Sequence, residues 1–117
     1  MSEYRAPIRD MLFVLNELAG LDEIAQMPGC EEASADVVGA VLEEASRFAE
    51  EVLSPLNRVG DREGARFQDG QVTMPKGFKE AYKLFAESGW TALGSESEWG
   101  GQGLPILVAT PVTEMWK

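Results

Sequence analysis

Apolar residues recur at three- and four-residue spacing along most of the chain, and this pattern predicts four helices. Ile8, Met11, Leu12, Leu15 and Leu18 place the first over residues 7–18. Pro7 suits its first turn, where a missing N–H is no loss, and Gly20 suits its exit. A short helical turn over 21–26 is stopped by Pro28-Gly29. The strongest signal spans residues 35–53, where Val37, Val38, Val41, Leu42, Ala45, Phe48, Ala49, Val52 and Leu53 make one broad stripe. Ser34 is placed as its N-cap and Pro55 marks its end. Glu43, Glu44, Arg47, Glu50 and Glu51 fill the opposite side, with Arg47 in reach of Glu43 and Glu51 at four-residue spacing.

Residues 54–74 contain Pro55, Gly60, Gly64 and Gly70 and read as non-helical. Within them, residues 66–73 form a hairpin pattern around Asp69-Gly70, the dipeptide of a type I′ turn. A two-stranded ribbon is marginal alone, so it is expected to lie against the helices. A third helix is placed at 75–88, with Phe78, Tyr82 and Phe85 on its apolar face, Gly89 as its stop and Trp90 positioned for the contact that follows such a stop. A stretch rich in Gly and Ser leads to a fourth helix holding Ile106, Leu107, Val108, Val112 and Met115, which Pro111 is expected to break or kink. The fold class is all-α with one small β-hairpin, in one domain at most.

Composition narrows the chemistry. There is no histidine, and the single cysteine is Cys30. This excludes an intrachain disulfide, zinc or haem sites built on Cys and His, and any Ser-His or Cys-His nucleophile pair. The net charge of −10 is uneven: residues 1–57 carry 3 Lys+Arg against 12 Asp+Glu, and residues 58–117 carry 7 against 8. Such a surface repels phosphate backbones, which argues against nucleic acid as a partner. It equally disfavours the polyanionic end of coenzyme A. No apolar run approaches the ~20 residues of a membrane span. The start, MSEYRAPIRD, carries no signal-peptide pattern, so a cytoplasmic location is expected.

Four features invite functional readings, and each has a plainer one. Gly100-Gly101-Gln102-Gly103 resembles a phosphate loop, but it fits neither the dinucleotide nor the P-loop pattern and reads better as a tight connection before a helix. The pairs Glu43-Glu44 and Glu50-Glu51 could serve acid/base or metal chemistry, yet their helical placement makes them a solvated face. Cys30 has no basic neighbour in sequence to lower its pKa. Arg58, Arg62 and Arg66 alternate with Asp61, Glu63 and Asp69, and local ion pairing accounts for them. An acyl-carrier function is dropped, because no Asp-Ser attachment pair occurs.

The second half resembles the N-terminal region of acyl-CoA dehydrogenases. The matching residues are the segment from Ser54-Pro55-Leu56-Asn57 to Gly64, then Asp69-Gly70-Gln71-Val72, Pro75-Lys76-Gly77-Phe78-Lys79-Glu80-Ala81-Tyr82, Gly89-Trp90, Gly100 to Pro105, and Thr113-Glu114-Met115-Trp116. Residues 4–18 look like the extra stretch of the larger members, the branch of 3-methylmercaptopropionyl-CoA dehydrogenase and related fatty-acyl enzymes. The resemblance implies residues 1–30 as an N-terminal extension helix. It implies residues 31–117 as the helical N-terminal domain, short of its C-terminal end. It also implies FAD, an acyl-CoA substrate oxidised at its α,β bond, and an electron-transfer flavoprotein as partner, with FAD and the catalytic glutamate served by later domains. Thr113-Glu114 is followed by Met115, so it is not the family's Thr-Glu-Pro flavin segment. No catalytic, cofactor-binding or metal-ligating residue is therefore assigned, and the isolated chain is expected to be inactive and without bound flavin. The alternative is a free-standing helical association module with no redox role. The broad stripe of residues 35–53, with Val112, Met115 and Trp116 near the end of the fourth helix, predicts self-association of the isolated chain, and a strict monomer would favour the free-standing module.

Overall fold

In the computed structural model, which describes residues 3–117, Pro7 precedes α1 (Ile8–Phe13). This helix opens into a wide π turn at Val14–Leu18, where Ala19 N–H reaches back five residues to the Val14 carbonyl at 2.8 Å. Gly20, at φ 71°, ends the run in the left-handed conformation expected of it, and α2 (Leu21–Ala25) follows.

The Ser34 hydroxyl accepts from Val37 N–H at 3.3 Å and caps α3 (Ala35–Phe48), as its sequence position predicts. The expected stop at Pro55 does not occur. The helix instead widens into a second π turn at Ala49–Leu53, with Ser54 N–H donating to Ala49 O, and continues as α4 (Ser54–Glu63). Pro55 sits in the first turn of α4, where the absence of an N–H costs little. Residues 54–63 are thus helical, against the sequence reading, because the wide turn rearranges the backbone bonds just ahead of the proline. Gly64 ends α4.

The hairpin forms as predicted. Strand β1 (Arg66–Gln68) pairs antiparallel with β2 (Gln71–Thr73), setting Phe67 opposite Val72. Asp69 (φ 52°) and Gly70 (φ 76°) are both left-handed, as a type I′ turn demands. It does not lie against the helices, however. Phe67 and Val72 are 75% and 65% exposed, and the ribbon is anchored at its base, where Lys76 N–H donates to Glu63 Oε2 at 2.9 Å.

Helix α5 (Phe78–Glu87) lies within the predicted 75–88 and stops at Gly89 (φ 82°). Two 3₁₀ turns, Trp90–Ala92 and Ser97–Trp99, lead to α6 (Ile106–Met115). Pro111 is buried inside α6 and does not end it. Thr110 and Thr113 flank it and donate their hydroxyls to Ile106 O (2.7 Å) and Ala109 O (2.9 Å), the back-bonding that lets a helix bend around an interruption.

The core lies where α1, α3 and α6 meet the loop residues Leu93 and Leu104. Leu21, Val38, Leu42 and Val108 are fully buried there. Val112 and Met115, expected near an exposed end, are buried in the same core. By contrast, α4 buries no residue, and α5 buries Ala81. The molecule measures 53 × 36 × 17 Å. Its shortest dimension is less than half of either of the others, so the molecule is a plate. Among the described residues, no helix is long and apolar enough to cross a membrane.

Candidate functional site

A cleft of about 480 Å³ lies between the π turn after α3, the start of α4, α5 and the last turn of α6. Ala49, Leu53 and Leu56 form one side, Phe78, Ala81 and Phe85 the other, and Met115 and Trp116 close the end. Tyr4, from the segment before α1, completes the wall, and Asn57, Glu114 and Lys117 bring polar groups to it. The fit of α4 on α5 depends on two glycines. A Cβ at Gly60 would sit 2.7 Å from Phe78 Cζ, and one at Gly77 would sit 2.7 Å from Leu56 Cδ2.

Aromatic rings knit the closed end together. Phe48 lies 5.9 Å from Phe85, and Trp90 lies 5.4 Å from Trp116. Trp90 thus packs on the residue after α6 rather than only capping α5 behind the Gly89 stop.

The carboxylate pairs separate. Glu43, Glu44 and Glu51 are exposed, and Arg47 pairs with Glu44 at 2.9 Å rather than with Glu43 or Glu51. Glu50 is not on the solvated face. Its side chain is 20% exposed and accepts from Ala6 N–H (3.0 Å), the Ser46 hydroxyl (2.9 Å) and Arg5 Nη1 (3.1 Å). The Ala6 hydrogen bond foremost, then those of Ser46 and Arg5, hold its carboxyl below the usual value of 4.5. One signal for this was present in the sequence. Glu50 stands four residues after Ser46 and eight after Leu42, at the edge of the apolar stripe.

Cys30 is half-buried in a turn where Gly29 N–H donates to Glu31 Oε1 at 3.1 Å. Among the described residues, no three Asp, Glu or Cys side chains group as metal ligands.

The glycine-rich loop is closed on itself. The N–H groups of residues 100–104 donate in turn to the carbonyls of Ser97, Glu96, Ala92, Ser95 and Leu93, at 2.9–3.2 Å. Gly101 packs against the Ser95 carbonyl so closely that any Cβ there would overlap it. A phosphate needs free, converging donors, and here the five are engaged. The loop therefore does not fit the diphosphate of a flavin dinucleotide.

No protein-family model matches the chain. It is 39% identical over 112 residues to 3-methylmercaptopropionyl-CoA dehydrogenase of Ruegeria pomeroyi, an alignment that covers 96% of this chain and 19% of that protein. The chain is a homologue of the acyl-CoA dehydrogenases. A broad-specificity linear acyl-CoA dehydrogenase of Mycobacterium tuberculosis is 30% identical over 116 residues, covering 97% of this chain and 19% of its own length. The chain thus spans about a fifth of the length of these acyl-CoA dehydrogenases. Its helical architecture with one small hairpin matches the N-terminal helical domain expected of the family.

Proposed function

We propose that the chain serves as the N-terminal helical part of a flavin-dependent acyl-CoA dehydrogenase, with residues 1–30 as an extension and 31–117 as the helical domain proper. In this reading the whole protein oxidises the α,β bond of an acyl-CoA and passes electrons to an electron-transfer flavoprotein. FAD and the catalytic base are held by other segments, and the 117 residues are inactive alone.

The observation that carries the reading is the chain's excess of uncovered surface. Its accessible area is 8386 Å², whereas a folded monomer of 12.8 kDa exposes about 6,300 Å². Its radius of gyration is 16.6 Å, against about 13 Å for a compact domain of this length. Leu18, Phe67, Trp99 and Ile106 are each at least 70% exposed and lie on four different elements. A plate of this kind suits a layer covered on more than one side by further domains. The same uncovered surface supports self-association of the chain by itself.

The test is a chimera that joins the chain to the part of the Ruegeria pomeroyi homologue lying beyond the matched region. The chimera is expected to retain FAD and to reduce a dye in an acyl-CoA-dependent manner, while the 117-residue chain does neither. Stoichiometric flavin on the short chain, or a chimera that is folded, flavin-loaded and inactive, would overturn the reading.

A further inference from the structure

We propose that residues 4–6 form a strap across the cleft and that the Glu50 carboxylate is the latch that holds the strap down. The inference stands on the geometry of the chain alone and does not depend on the acyl-CoA reading. Ala6 N–H and Arg5 Nη1 reach separate oxygens of Glu50 across 44 and 45 residues of sequence. Besides the local bond from Ile8 N–H to Ala6 O at 2.9 Å, these are the hydrogen bonds that tie residues 4–6 to the helical layer among the described residues, and both end on one side chain. Ser46, buried to 7% exposure, donates to Glu50 from its own helix and fixes the direction of the carboxylate.

Pro7 follows the strap with its φ held by the ring, which removes one of the torsions between the strap and α1. Tyr4, next along from the latch, is half-buried and packs against the core. It lies within electrostatic reach of both Glu50 and Glu114, so it bridges the π turn and the end of α6. Its ring lines the cleft with Leu53, Phe85 and Trp116. Latched, the strap narrows access to these apolar walls. Unlatched, it uncovers them. The charged groups around the latch are Arg5, which also pairs with Glu3 at 3.2 Å, and Glu114 beyond Tyr4.

The test uses the 117-residue chain carrying Trp99→Phe, which removes an indole that is 80% exposed and leaves Trp90 and Trp116 as reporters. Two quantities are read: amide exchange at Ala6, and quenching of tryptophan fluorescence by acrylamide. Glu50→Gln is expected to speed exchange at Ala6 about tenfold or more while Leu42 in α3 is unchanged, since a charged acceptor is lost. The quenching constant is expected to rise about twofold in the same variant. Tyr4→Ala removes the wall and keeps the latch, so quenching is expected to rise with Ala6 still protected. Unchanged exchange at Ala6 in Glu50→Gln overturns the latch. Unchanged quenching in Tyr4→Ala overturns the strap, and that variant decides the matter should Glu50→Gln fail to fold.

Discussion

The indole of Trp116 stands edge-on to the ring of Phe48, with centroids 5.5 Å apart and planes at 89°. It meets Phe85 at 5.6 Å with the same inclination. One side chain after α6 therefore reinforces the direct contact of Phe48 with Phe85 that joins α3 to α5. Trp116→Ala is expected to cost about 2–4 kcal/mol, below the largest aromatic truncations because Trp116 is only half-buried. Trp116→Phe keeps one ring edge in place and is expected to cost about 1 kcal/mol. Urea midpoints at constant slope check both values; equal losses for Ala and Phe would show that the ring contacts contribute nothing.

Gly101→Ala is expected to be more damaging than any other alanine substitution in the 100–104 loop. The added methyl meets backbone at Ser95, which is itself tied to Gly103 by a 2.9 Å hydrogen bond and cannot yield as a side-chain tip would. A loss of about 2 kcal/mol or more is expected in thermal or urea unfolding. Gly60→Ala is the informative contrast. There the gain in helix propensity, about 1 kcal/mol, opposes the cost of moving the Phe78 ring, about 1–3 kcal/mol. The net loss is expected to be smaller than at Gly101.

The strap's attachment is expected to fail at both ends of the pH scale. Glu50 is held below its ordinary value, so its contribution is complete above about pH 4.5 and is lost as pH falls through the lowered folded value. Tyr4 is pushed above 10.0, by burial first and then by Glu114 and Glu50, so its contribution is complete below pH 10 and is lost as pH rises through the raised value. Acrylamide quenching should be flat between these limits and rise on either side. In Glu50→Gln the acid-side rise should disappear. Glu31, held low by its own and Gly29's backbone N–H groups, titrates in the same acid direction, so this comparison isolates Glu50 from it.

Self-association is expected of the isolated chain, though not through the residues that first pointed to it. Val112 and Met115 are buried and Trp116 is half-buried, while Phe67 and Val72 on the hairpin and Leu18 and Ile106 on the helices remain open. Light scattering over a concentration series should show mass rising with concentration. Phe67→Ser and Ile106→Ser should reduce that rise without altering the melting temperature by more than a degree or two. A strict monomer throughout would remove the expectation.

Much of the fold was legible because several residues carry local instructions. Ser34 caps, Asp69-Gly70 turns, and Gly20 and Gly89 stop helices through preferences that need no tertiary context. What was not legible depends on hydrogen-bond phase. Pro55 and Pro111 look like breaks in a strict α-helix, yet one follows a widened turn and the other sits buried between back-bonded threonines. The hairpin's position away from the helices is likewise a matter of packing, which periodicity does not encode. Of the candidate site, the apolar face of Phe78 and Phe85 was visible, but the role of Glu50 was hidden. Its partner Ala6 lies 44 residues away, and a backbone donor leaves no mark in sequence.

The wide turn at Ala49–Leu53 sets where along this helix the chain tolerates a change of length. A π turn closes with one residue more than an α turn, so the extra residue is taken up within it and the helix on either side stays in phase. Removing one residue from 49–53 should therefore let the helix run through as α with α4 still on α5. Removing one between Leu56 and Gly60, where the helix is regular, would turn Gly60 by about 100° away from the Phe78 ring it makes room for.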